Sequence, residues 1–115
     1  MNQVQTINGR QFERDVVQSD VPVLIDFYAD WCGPCRTMSP VVDRIASELG
    51  TRAKVVKVDT DAEPELASAF HISSIPAFYI MYHGQVVDGS IGVTPASQLR
   101  DMLERAAEDN VEANE

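Results

Sequence analysis

The sequence predicts an α/β domain: a mixed sheet with helices packed on both faces. Three observations carry that expectation. Strand-like apolar runs alternate with stretches of helical spacing, an order that calls for parallel strands joined by helical crossovers. Near the end the order changes, and two strand-like runs flank His83-Gly84 as an antiparallel hairpin. Finally, the nearly continuous apolar run from Pro22 to Ala29 hands over to a helix that opens on Cys32, Gly33, Pro34 and Cys35.

In chain order, Val4 to Ile7 reads as a short first strand. Asn8 followed by Gln11 forms a capping box, and Phe12, Val16 and Val17 give the first helix an apolar face that ends near Ser19 and Asp20. The second strand, Pro22 to Ala29, is broken only by Asp26. Met38, Val41, Ile45 and Leu49 then recur at helical spacing until Gly50 stops the pattern. Pro40 falls inside that helix, where it removes a bond to the Arg36 carbonyl and predicts a kink. Ala53 to Val58 is the third strand. Asp59 and Asp61 are placed to cap a short helix with Pro64 in its first turn and Leu66 and Phe70 facing inward. Ala77 to Tyr82 is the next strand, and Gly84 supplies a positive φ for the turn. Gln85 to Ile91 returns as an edge strand weakened by Asp88 and Gly89. Thr94 is expected to cap the last helix, with Pro95 first and Leu99, Met102, Leu103 and Ala106 as its buried stripe.

Composition narrows the function. At 115 residues and 44% hydrophobic, the chain suits one domain with a single core. Residues 1–107 are assigned to it, and the polar, acidic stretch 108–115 to a tail that frays. A formal charge of −9 argues against nucleic acid and anionic membrane surfaces as partners. The opening residues hold no apolar signal region, and no stretch reaches transmembrane length. With no spare cysteines, the chain is expected to work in a reducing compartment, the cytoplasm, as a monomer.

Cys32 and Cys35 are the only cysteines. A bridge across so short a loop constrains the unfolded chain little, so a structural staple is a poor account of them. A four-cysteine zinc site would need a second pair, and His71 and His83 are not at zinc-finger spacing. What fits is a pair that passes between dithiol and disulfide. With Cys32 as N-cap and Pro34 in the first turn, Cys35 lies one turn in on the same face. A sulfur at a helix N-terminus faces unpaired N–H groups and the positive end of the dipole, which favours its thiolate.

Trp31-Cys32-Gly33-Pro34-Cys35 after a strand resembles the signature of the thioredoxin family. The likeness runs over about residues 4–107 and takes in Asp26 through Cys35, Lys57, Ser74-Ile75-Pro76, Gly84 and Gly92. It implies the thioredoxin fold, with strand order 1-3-2-4-5. It also implies that Cys32 attacks the target disulfide and Cys35 resolves the mixed disulfide. A first cysteine nearer the dipole end and solvent, and a second more buried, agrees with those roles. Asp26 stands alone among apolar residues, so burial should raise its pKa; the resemblance makes it the proton acceptor for Cys35, with Lys57 beside it on the adjacent strand. A plain buried ion pair of Asp26 with Lys57 is the competing account. The resemblance further implies a cis Ile75–Pro76 bond facing the disulfide, tuning of the potential by Gly33 and Pro34, and a docking surface of Trp31, Ile75, Pro76 and Gly92. Tyr28, Ser74 and Ala77 depart from the common family pattern and bear on partner choice.

The function so implied is reduction of disulfides in protein substrates. No cofactor would be bound to the chain itself, and re-reduction would come from a thioredoxin reductase that uses NADPH. An oxidase or isomerase on the same fold is the first alternative. Gly-Pro between the cysteines is typical of reducing members, whereas oxidising relatives tend to carry a histidine there. The second alternative is a non-catalytic binding subunit that uses the same surface. A role of that kind has no need of two thiols and a buried acid.

Overall fold

Five strands, β1 (Gln5–Thr6), β2 (Val23–Tyr28), β3 (Lys54–Asp59), β4 (Ala77–Tyr82) and β5 (Gln85–Ile91), form one sheet in a computed structural model that describes residues 4–113, with side chains to residue 108. Their order is β1-β3-β2-β4-β5. β1, β3 and β2 run parallel, and β4 and β5 are antiparallel additions. The central strand is thus β2, the most fully buried of the five, paired on both sides. Strands buried on both faces must read as near-continuous apolar sequence, and this one does except at Asp26.

Alternation along β2 divides the core into two layers. Leu24 packs with Val55, Phe78 and Ile80 under two long helices, α2 (Gly33–Leu49) and α4 (Ala96–Ala113). Val23, Ile25 and Phe27 face the other way, toward α1 (Gly9–Phe12) and α3 (Pro64–Ala69). On that side Phe27 lies 5.0 Å from Phe70 and 6.1 Å from Tyr79 between ring centroids. Each such side chain contributes about 1.5–3 kcal/mol by leaving water.

Local signals explain most element ends. The Asn8 carboxamide oxygen accepts from Gln11 N at 3.0 Å, and the Gln11 side chain accepts from Asn8 N at 2.9 Å, closing the expected box. Beyond Phe12 the coil widens to a π-helical turn, Glu13–Val17, with Gln18 N donating to Glu13 O at 3.0 Å. The hairpin turn uses positive φ at both His83 and Gly84, the pairing of signs that matches strand twist.

Several expectations are corrected. β1 is shorter than predicted, although Ile7 beyond it is buried and its N–H bonds to Lys57 O at 2.9 Å. The buried stripe of α2 runs through Val42, and Val41 is only half-buried. Pro40 lies inside α2, where the sequence placed it, and the helix runs to Leu49. Asp59 caps the turn before α3 rather than the helix: its carboxylate accepts from the N–H groups of Asp61 and Ala62, while Glu63 is the N-cap without a side-chain bond. Thr94 does not cap α4, since the Pro95 carbonyl accepts the first bonds, from Gln98 and Leu99. Leu99, Met102, Leu103 and Ala106 are buried as predicted. The backbone of α4 runs as far as Ala113, and residues 1–3 and 114–115 lie outside the described residues.

Candidate active site

The chain leaves β2 at Tyr28, turns through Ala29 to Trp31, and enters α2 at Gly33. Cys32 is the N-cap of that helix, with Pro34 in the first turn. Its Sγ accepts the N–H of Cys35 at 3.2 Å, and its carbonyl accepts Arg36 N at 3.2 Å. The first sulfur therefore occupies the place where an orphan donor of the helix needs an acceptor. Cys32 and Cys35 are joined as a disulfide with their Cα atoms 5.3 Å apart. Together with Ala29 they form a small buried cluster against Tyr28 and Ile75.

The expected difference in exposure between the sulfurs is absent from this bridged form. Cys32 is 4% exposed and Cys35 5%. Bonding to each other holds both side chains in the same cleft, so burial does not separate them; the helix-terminal N–H does.

The Ile75–Pro76 bond is cis, as the resemblance implied. The Ile75 carbonyl oxygen lies 3.8 Å from Cys32 Sγ. Pro76 O accepts Gly92 N at 2.7 Å, and Gly92 has φ of 87°, a conformation that suits glycine. These contacts bring Cys32, Ile75, Pro76 and Gly92 together. Trp31 is 68% exposed, and its indole N–H donates to an Asp61 carboxylate oxygen at 2.8 Å. Gly33 and Pro34 are exposed at the helix start.

Asp26 shares the sheet face of Leu24, beneath α2, and is 1% exposed. One of its carboxylate oxygens has no hydrogen-bond partner. Its pKa is pushed up to about 6, chiefly by burial, with Asp43 adding to the rise and Lys57 opposing it. Lys57 stands opposite Asp26 in the β2–β3 register. Its ammonium, however, rests 4.5 Å from the centre of the Tyr28 ring, and no Asp26–Lys57 ion pair occurs among the described residues. The tight-pair account of Asp26 does not match this geometry.

Some residues at the site were not singled out from sequence. Asp61 holds the Trp31 ring, and an Arg36 guanidinium N–H donates to Asp30 O at 2.6 Å beside Gly33. Val93 presents 63% of its surface to solvent next to Gly92. Only Val93 left a trace in the sequence, as an apolar residue belonging to neither the β5 nor the α4 pattern.

A sulfur pair that can open and close at a helix N-terminus supports one chemistry, exchange of thiols with disulfides. By class the protein is a thiol–disulfide oxidoreductase acting on proteins. The thioredoxin family model matches residues 3–105, and the chain belongs to the thioredoxin family. It is 46% identical to thioredoxin 1 of Nostoc over 91% of this chain and 98% of that one. It is 45% identical to the thioredoxin of Porphyra purpurea over 89% and 95%. Among solved structures, the thioredoxin of Malassezia sympodialis superposes with a TM-score of 0.83 at 33% identity, covering 93% of each chain. Among the described residues, no helix is long and apolar enough to cross a membrane.

Proposed function

We propose that this chain is a reducing electron carrier for protein disulfides, with Cys32 as nucleophile and Cys35 as resolving thiol. The observation that carries the assignment is the Cys35 N–H directed at Cys32 Sγ at the start of α2. In the reduced protein that donor and the helix dipole favour a thiolate on Cys32. The thiolate attacks one sulfur of a target disulfide, forming a mixed disulfide and releasing the other target sulfur as a thiolate. Cys35 then loses its proton to Asp26 and attacks Cys32 Sγ. The target leaves with both sulfurs reduced, and the two electrons it gained are matched by the new Cys32–Cys35 bond. Lys57 tunes the acid from beside the Tyr28 ring, and Gly33 and Pro34 set the potential by leaving the helix terminus without a further charge.

The target docks as an extended segment along Ile75, before the cis Pro76, with Trp31 and Gly92 on either side. The carrier binds no cofactor of its own and is returned to the dithiol by a thioredoxin reductase that draws on NADPH. It works as a monomer in the cytoplasm, where thiols stay reduced.

The test is the fate of single-cysteine variants. Cys35→Ser should accumulate a covalent adduct with a protein disulfide, whereas Cys32→Ser should form none and lose reduction entirely. Adducts on Cys32→Ser alone would reverse the two roles.

A further inference from the structure

Thr94 and Asp26 are the only polar side chains classed with the core among the described residues, and the redox chemistry uses only Asp26. Thr94 is 3% exposed. Its hydroxyl donates to Gly92 O at 3.0 Å and lies 2.7 Å from Ser90 Oγ. A hydroxyl has one hydrogen to give. With that hydrogen on Gly92 O, the Ser90 O–H must donate into Thr94 Oγ1, so the contacts form a directed relay. Gly92 is held on its other side as well, its N–H donating to Pro76 O at 2.7 Å. A continuous path of contacts thus runs from Ser90 through Thr94, Gly92, Pro76 and Ile75 to Cys32 Sγ.

We propose that Ser90 and Thr94 are positioning residues for target docking: their hydroxyls fix the Gly92–Val93 turn as a rigid wall beside the disulfide. The inference rests on the protein-disulfide reading above and names what prepares that site. Glycine at positive φ is the most mobile kind of backbone, and Gly92 meets no neighbour within 4 Å in the direction of a side chain. Gly92 thus has no side-chain packing of its own, and its N–H and C=O are held by the bonds to Pro76 O and from Thr94 Oγ1. A wall ordered during folding does not have to be ordered when a target arrives, and binding is tighter by that difference. Because Gly92 has its own N–H and C=O engaged internally, what the turn offers a target is the apolar side chain of Val93. Burial of a hydroxyl is unfavourable unless it is bonded, and here both of its bonds serve this turn rather than the start of α4.

The experiment compares two substrates, with dithiothreitol regenerating the dithiol. One is a disulfide-linked extended peptide, which must lie along the wall; the other is bis(2-hydroxyethyl) disulfide, which is too small to reach it. Thr94→Val keeps the buried shape and deletes the hydroxyl. It should raise KM for the peptide roughly three- to tenfold, leave kcat and the small-disulfide rate unchanged, and speed hydrogen exchange at the Gly92 amide. Thr94→Ser should restore both KM and amide protection. Ser90→Ala, which leaves the buried side chain intact, should shift both readouts in the same direction by less, and it carries the test if Thr94→Val folds poorly. Unchanged peptide KM and Gly92 exchange in Thr94→Val would overturn the proposal, as would equal losses on both substrates. If the unmodified protein reduced the small disulfide but not the peptide, the protein-disulfide reading itself would fail, and the proposal with it.

Discussion

Asp26 is a titratable carboxyl only 1% exposed, with one oxygen unpartnered and the Lys57 ammonium resting over the Tyr28 ring. Its pKa of about 6 lies above that of the same residue in an unfolded chain. The folded state therefore binds the proton more tightly, and stability falls as pH rises from about 4 to about 6. Above that window the ionised carboxylate opposes folding. Asp26→Asn should stabilise the protein at pH 7 and above by roughly 1–3 kcal/mol, a gain that shrinks below pH 6 and vanishes below about 4. Denaturant midpoints at several pH values measure it. Reduction of a protein disulfide should slow in the same variant at neutral pH, because Cys35 loses its proton acceptor. A variant that is less stable and equally fast would mark Asp26 as a structural residue only.

At the scale of elements, the junction of β2 and α2 sets the chemistry. The helix terminus offers its N–H to Cys32, so any further donor or positive charge there should favour the thiolate and thereby the dithiol. Pro34→His is expected to raise the reduction potential, measured by equilibrium with glutathione, by some tens of millivolts. A potential that stayed put would detach tuning from the helix end. This junction was legible in the sequence because its signals are local: an apolar run of strand length, an N-cap, a proline in the first turn. The Asn8–Gln11 box was legible for the same reason. Features decided at long range were not. The shift from Val41 to Val42 follows from how α2 rotates against the sheet, which the spacing leaves open by one residue. Register placed Lys57 opposite Asp26, yet the direction of a flexible side chain depends on the Tyr28 ring from the neighbouring strand. Thr94 looked like a cap because the sequence shows its place before a helix but not that Gly92 and Ser90 fold back toward it.

Over the whole molecule, the family pattern carried what periodicity could not, the strand order and the cis Ile75–Pro76 bond. Charge acts at this scale too. With a net charge of −9, the chain attracts cationic targets over a Debye length of about 30 Å at 0.01 M salt, falling to about 8 Å at 0.15 M. Stopped-flow reduction of a cationic peptide disulfide should slow as salt is added, and that of an anionic one should speed up. Equal responses would show that apolar contact at the cleft governs encounter. The burial of both sulfurs bears on the company this protein keeps. With Cys32 only 4% exposed in the bridged form, a target disulfide on a segment that projects from its own protein can be brought to it, and one seated deep in a rigid fold is at a disadvantage.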